Sequence, residues 1–162
     1  MTTDRAVHAY VAADRSGQRA SLGVVFVDAR GGVLRRVGRR VPPSSKDLAA
    51  FHAILYALWT ARRLGSRRVV VHSDRPGVVA QINGGQAVEG DLVGPYLEVR
   101  ALLHAYRSAR VEDGGQMGWE QEARAMAEAA LTFDVHAYDV TEVVVEDLPL
   151  WTSQITSERT PA

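Results

Sequence analysis

Guanidinium forks, a few carboxylates, and scattered histidine and aromatic rings are the residues of this chain with chemistry to offer. Eight arginines fall in two clusters, Arg35, Arg36, Arg39 and Arg40, then Arg62, Arg63, Arg67 and Arg68. A guanidinium presents paired N–H donors that match phosphate oxygens. The same clusters also suit the solvated faces of a soluble domain. The run Ser73-Asp74-Arg75-Pro76 places a carboxylate at the end of an apolar stretch. His72 and Asp74 share one strand face, which suits a local hydrogen bond. His8 and Tyr10 alternate with Ala12 on the opening strand, as packed residues or facing a site. His52 and Tyr56 share a helical face at i,i+4, a lone spacing more often structural than metal-binding. Trp59, Trp119 and Trp151 could stack nucleobases, although burial is the commoner use of tryptophan.

The composition bounds what such residues can do. With 162 residues and 46% hydrophobic content, the chain suits one domain with an ordinary core. Basic and acidic residues balance at 19 each, with Lys46 the single lysine, so a strongly basic nucleic-acid module is not indicated. There is no cysteine, which excludes disulfides and thiolate metal sites. No apolar run approaches the ~20 residues of a membrane span. Met1-Thr2-Thr3-Asp4-Arg5 lacks an apolar signal core, so a cytoplasmic protein without membrane contact is expected.

The elements that must position these residues follow from pattern. Ala6 to Ala13 reads as a strand, Asp14 to Ser21 as a polar stretch, and Leu22 to Asp28 as a buried strand. Ala29-Arg30-Gly31-Gly32 is a hairpin turn, and Val33 to Val41 pairs back. After Pro42-Pro43, Ser44 or Ser45 caps a helix from Lys46 to Leu64, which Gly65 ends. Val69-Val70-Val71 is a short buried parallel strand, and Pro76 opens a helix closed by Gly84-Gly85. Pro95 to Arg107 is an amphipathic helix, Val111 to Trp119 a weak segment, and Glu120 to Leu131 an alanine-rich helix. Val135 to Val145 is β-prone, and Thr152 to Ala162 reads as a polar, frayed tail. The order β-β-β-α-β-α-α-β-α predicts a mixed sheet with helices on its faces.

Three stretches carry a resemblance. Leu48-Ala49-Ala50-Phe51-His52-Ala53-Ile54-Leu55-Tyr56-Ala57-Leu58 resembles the first helix of type 1 ribonuclease H domains. Arg67 to Gly84 (RRVVVHSDRPGVVAQING) resembles that family's fourth strand and next helix, and Ala123 to Leu131 (ARAMAEAAL) its last helix. Gly23-Val24-Val25 and the Gly31-Gly32 turn fit as well. The match covers roughly residues 6 to 131. It implies an α/β fold: a ribonuclease H-like mixed five-stranded sheet, three antiparallel strands then parallel ones, plus a C-terminal extension. The implied domains are 1–133 as the ribonuclease H-like unit, 134–151 as a strand extension packing on it or on a partner, and 152–162 as a flexible tail. Family members cut the RNA strand of RNA–DNA hybrids, holding two divalent metals on four carboxylates. A metal pair stabilises charge on both the entering and leaving oxygens of the phosphodiester.

Carried over position by position, three of those four carboxylates are absent: Ala12, Ala50 and Arg124 stand in their places, and Asp74 alone is retained. Arg124 puts a fixed positive charge where a cation should bind. It can pair with Asp74, or with Glu120 or Glu128 one turn away on its own helix, the pairing that needs no tertiary assumption. A displaced metal cluster would draw on Asp14, Asp47 and Asp74, with Asp14 otherwise in a polar loop and Asp47 favouring a helix N-terminus. Ser45 and Lys46 resemble hybrid-binding positions, and Arg75 and Asn83 join them as candidate nucleic-acid contacts.

Three functions follow as expectations. The first is a degenerate ribonuclease H-like protein that binds nucleic acid, hybrid or duplex, or a protein partner without efficient cleavage and without a cofactor. The second is an active nuclease using magnesium or manganese at the displaced site. The third is a non-catalytic module that dimerises through the C-terminal strand.

Overall fold

Asp28 shapes the second hairpin turn: its Oδ1 accepts from the Arg30 and Gly32 N–H groups, each at 2.8 Å. Gly31 there takes φ +84°, a backbone conformation open chiefly to glycine. That turn joins β2 (Arg19–Val27) to β3 (Val33–Val41), and β1 (Val7–Ser16) pairs antiparallel on the other side of β2. The computed structural model describes residues 5–114, 118–132 and 142–145. Val-rich β4 (Arg68–Ser73) lies parallel to β1, and β5 (Ser108–Asp113) parallel to β4. The helices are α1 (Lys46–Arg63), α2 (Pro76–Ile82), α3 (Val93–Ala105) and α4 (Gly118–Thr132), with a 3₁₀ turn at Gly90–Leu92.

The expected five strands are present. A sixth, β6 (Glu142–Val145), pairs antiparallel with β3, from Arg36↔Val145 to Arg39↔Glu142, giving the order β5-β4-β1-β2-β3-β6. The remainder of the expected extension, with Trp151 and the tail, lies outside the described residues.

One sheet face carries the main core. Phe51, Ile54 and Leu58 of α1 are fully buried against Val11, Val24, Phe26 and Val71. Each such side chain contributes about 1.5–3 kcal/mol by leaving water. On the other face α4 lies almost on the backbone. A Cβ on Gly23 would stand 1.9 Å from the Ala123 carbonyl oxygen, and one on Gly38 2.2 Å from that of Met126. Gly23 and Gly38 are register partners across β2 and β3, and Ala12 is the β1 partner of Gly23. This row of minimal residues is the seat of α4, and Ser21 Oγ fastens it by donating to the Ala127 carbonyl at 2.6 Å.

Three boundaries differ from the sequence expectation. The polar stretch from Asp14 is strand, because the β1–β2 hairpin runs on to Gly17, beyond the cover of the helices, where polar side chains are tolerated. The weak segment takes in only the second half of β5, an edge strand that starts at Ser108 and whose exposed Ser108, Arg110 and Asp113 leave no apolar signal. The preceding helix accordingly ends at Ala105. Among the described residues, no helix is long and apolar enough to cross a membrane.

Candidate functional site

β1 and β4 run parallel with Val11 beside Ser73, which brings Ala12, inside β1, level with Asp74, the residue that follows β4. The N-terminus of α1 and the first turns of α4 close over this edge. Asp74 is its centre. Its side chain is 8% exposed, and Oδ2 lies 3.5 Å from Arg124 Nη2. Its Oδ1 is buried with no hydrogen-bond partner among the described residues. Burial pushes the Asp74 carboxyl above the usual carboxylate range, while Arg124, then its own backbone, Lys46 and Arg75 pull the other way. Desolvation of the charged form is the larger effect here.

The positions to which the resemblance assigns carboxylates, Ala12 and Ala50, offer no donor. Ala12 is buried in an apolar patch with Val25, Val27 and Ala123. Ala50 is buried in the main core. Arg124 reaches Asp74 rather than the glutamates of its own helix, so the local pairing favoured on sequence grounds gives way to a tertiary one. Helix α4 sits close on Gly23 and Gly38, and its Arg124 reaches Asp74 just past β4.

The displaced carboxylates are occupied separately. Asp47 accepts from Arg75 at one oxygen, with Nε at 2.7 Å and Nη2 at 2.6 Å. Asp14 lies on β1 opposite Ser21 and accepts from the Arg15 N–H at 2.8 Å. Among the described residues no group of three or more His, Asp or Glu side chains is placed to hold a metal ion. Magnesium demands about six oxygen ligands in near-octahedral array. Asp74, with no carboxylate at Ala12, Ala50 or Arg124 and with a guanidinium beside it, does not fit the metal pair that the resemblance implies.

The proposed nucleic-acid contacts are mixed in character. Ser45 Oγ accepts from the Leu48 N–H at 3.1 Å and caps α1, and Lys46 beside it is exposed. Arg75 is held by Asp47. Asn83 Nδ2 donates to the Val111 carbonyl at 3.0 Å, tying α2 to β5.

Two features escaped the sequence. Glu120, one turn before Arg124, belongs to the site: burial raises its carboxyl, Asp74 raises it next, Arg124 opposes, and Asp113 raises it further. Its i−4 spacing from Arg124 was the available signal. The second is a ring column on the open sheet face. His72 stacks on Tyr10 with centroids 4.5 Å apart and on His8 at 5.2 Å. His8 Nδ1 and His72 Nε2 are 2.9 Å apart, and Glu112 Oε2 is 3.9 Å from His72 Nδ1. The expected bond from His72 to Asp74 is replaced by these cross-strand contacts, because opposite residues on paired strands stand closer than i and i+2 on one strand.

The first arginine cluster is largely consumed by the fold. Arg36 pairs with Glu122 at 2.9 Å, Arg39 lies over the Tyr56 ring, and buried Arg40 donates to the Ala130 and Leu131 carbonyls at the end of α4.

The sequence profile described as reverse transcriptase-like matches residues 10–112. RNase H1 from the halophilic archaeon Halobacterium salinarum is 25% identical with a TM-score of 0.73, over 77% of this chain and 96% of that one. The N-terminal RNase H domain of a Mycobacterium tuberculosis protein, solved as a maltose binding protein fusion, is 23% identical with a TM-score of 0.70, over 76% and 97%. LC11-RNase H1, from a compost metagenome and solved in complex with RNA/DNA hybrid, is 18% identical with a TM-score of 0.66, over 78% and 99%. No curated protein matches the sequence.

Proposed function

Since the chain belongs to the reverse transcriptase-like family of ribonuclease H-like domains, we propose that it binds nucleic acid, an RNA–DNA hybrid or a duplex, without efficient cleavage. The observation that carries this reading is Arg124 Nη2 lying 3.5 Å from Asp74 Oδ2, a guanidinium where the resemblance implies a carboxylate. In-line attack on a phosphodiester needs charge stabilised on both the entering and leaving oxygens. Asp74, buried and already beside a cation, has no partner carboxylate at Ala12 or Ala50 with which to organise that stabilisation.

Binding needs less. Lys46 and Arg124 remain exposed near Asp74, and Arg75 adds a third cation fixed in place by Asp47. Cations of this kind position a duplex through its phosphates and carry no sequence information. LC11-RNase H1, a structural relative, is solved in complex with RNA/DNA hybrid, which supports a nucleic-acid partner here.

The test is binding and cleavage of a labelled hybrid of about two helical turns, in magnesium and then manganese. Salt-dependent binding with the RNA strand left intact is the expected result. Cleavage that disappears in Asp74→Ala would overturn this reading and favour the displaced site of Asp14, Asp47 and Asp74.

A further inference from the structure

Asn83 is the single asparagine of the chain, and a glycine follows it. Asparagine is thermolabile. It is most so before glycine, which has no Cβ to shield its own amide nitrogen. Asn83 and Gly84 are both exposed where α2 ends, and Gly84 takes φ +84°. The Gly84 N–H makes only a long bond, to the Gln81 carbonyl at 3.3 Å. The comparable step Asp113-Gly114 is held more firmly, because the Gly114 N–H donates to the Ser73 carbonyl at 2.6 Å.

We propose that Asn83 is a modification site, which deamidates through Gly84 and thereby releases α2 from β5. The Gly84 nitrogen attacks Asn83 Cγ and a C–N bond forms. The Cγ–Nδ2 bond breaks, and ammonia leaves with the Gly84 amide proton. Water then opens the cyclic imide at either carbonyl, giving aspartate or isoaspartate at position 83. Water is the only co-reactant.

The structural consequence follows from what Asn83 holds. The Ser108 and Gly114 N–H groups turn toward β4, onto the Arg67 and Ser73 carbonyls. Alternate residues of a strand turn opposite ways, so Val111 directs its carbonyl out of the sheet at the β5 edge. Asn83 Nδ2 donates to that carbonyl at 3.0 Å. A carboxylate only accepts, so after deamidation two acceptors face each other and the tie becomes a repulsion. The outward carbonyl of an edge strand is then left to water. Isoaspartate also lengthens the main chain by a methylene at the α2 terminus. Asn83 is a candidate nucleic-acid contact as well, and a new negative charge there opposes phosphate. That last consequence rests on the proposed binding, whereas the chemistry and the lost tie do not.

The test is intact-mass spectrometry of the full chain incubated at pH 8 and 37 °C, beside a Gln-Ile-Asn-Gly-Gly peptide as the unrestrained reference. A gain of one mass unit that maps to Asn83 on digestion is expected, with no gain in Asn83→Gln. The deamidated chain and the fresh Asn83→Asp variant should both melt below the parent and exchange the β5 amide hydrogens faster. If the peptide converts and the protein does not, the fold protects Asn83 and the site is overturned. A gain that maps to a glutamine overturns it too. A gain at Asn83 with unchanged melting temperature and exchange overturns the release of α2. None of these readouts uses nucleic acid, so failure of hybrid binding leaves the result standing, and the reverse.

Discussion

Arg124 Nη2 and Asp74 Oδ2, 3.5 Å apart, join α4 to the residue that follows β4. The pair is lopsided: Arg124 is 57% exposed while Asp74 is 8% exposed. Its direct contribution to stability is therefore small, about 0–1 kcal/mol. Its effect on the Asp74 proton is larger in principle, because Arg124 is the strongest of the influences opposing burial. Arg124→Ala should raise the Asp74 pKa further above its already elevated position, as read by carboxyl ¹³C titration. A downward move would show that Arg124 does not act on this carboxylate.

An Asp74 pKa raised in the folded state also has a stability consequence. Stability from the protonated form is full below the ordinary value of 3.8 and is lost as pH rises through the higher folded value. At neutral pH the ionised, half-satisfied carboxylate therefore costs stability. Asp74→Asn should raise the melting temperature at pH 7, with the difference shrinking toward pH 4. Equal melting temperatures across that range would contradict the burial argument.

Restoring the family carboxylates should restore metal dependence. The variant Ala12→Asp, Ala50→Glu, Arg124→Asp places three carboxylates around Asp74. Ala12 and Ala50 are each 1% exposed, so without metal the new charges cost several kcal/mol. Manganese should raise the melting temperature of this variant and not of the parent, and hybrid cleavage should appear only in the variant. A variant that folds yet shows neither change would mean that the site's shape, and not its ligand count, prevents metal binding.

The first three strands and α1 were legible because their apolar periodicity reflects burial, as in Val24, Phe26, Phe51 and Ile54. β5 was hard to read because an edge strand with exposed Arg110 and Asp113 lacks that pattern. That Ala12 and Ala50 offer no metal donor follows from residue type alone, whatever the fold. The choice of Arg124 for Asp74 over Glu120 was not, since it depends on how closely α4 settles on Gly23 and Gly38. The His8–His72 contact depends on strand register between β1 and β4, which no local spacing encodes.

That contact has a pH signature. Burial lowers the His8 pKa first and Arg110 lowers it further, against Glu112. Burial lowers His72 as well, then His8 and Arg110, again against Glu112. Both values fall below the ordinary 6.5, so the unfolded chain binds protons that the folded one refuses. Stability is full above about pH 6.5 and declines as pH falls toward the lowered folded values. The urea midpoint should drop between pH 7 and pH 5, and His8→Gln, His72→Gln should flatten that slope. Half-buried His52, also lowered by burial, leaves a residual slope. An unchanged slope in the double variant would assign the pH dependence to other groups.

The seat of α4 gives the sharpest mechanical prediction. A methyl at Gly23 would stand 1.9 Å from the Ala123 carbonyl oxygen and 2.7 Å from the Ala127 backbone nitrogen, and neither is a flexible side-chain end. The helix must lift, taking with it the Ser21 bond to the Ala127 carbonyl and the reach of Arg124 to Asp74. Overpacking of this kind costs about 1–3 kcal/mol, and more where backbone must move. Gly23→Ala should therefore lower the unfolding free energy by at least about 1 kcal/mol. It should also shift the Asp74 pKa in the same direction as Arg124→Ala. Loss of stability with no change at Asp74 would mean that α4 yields locally and that its close seat does not set the Arg124–Asp74 distance.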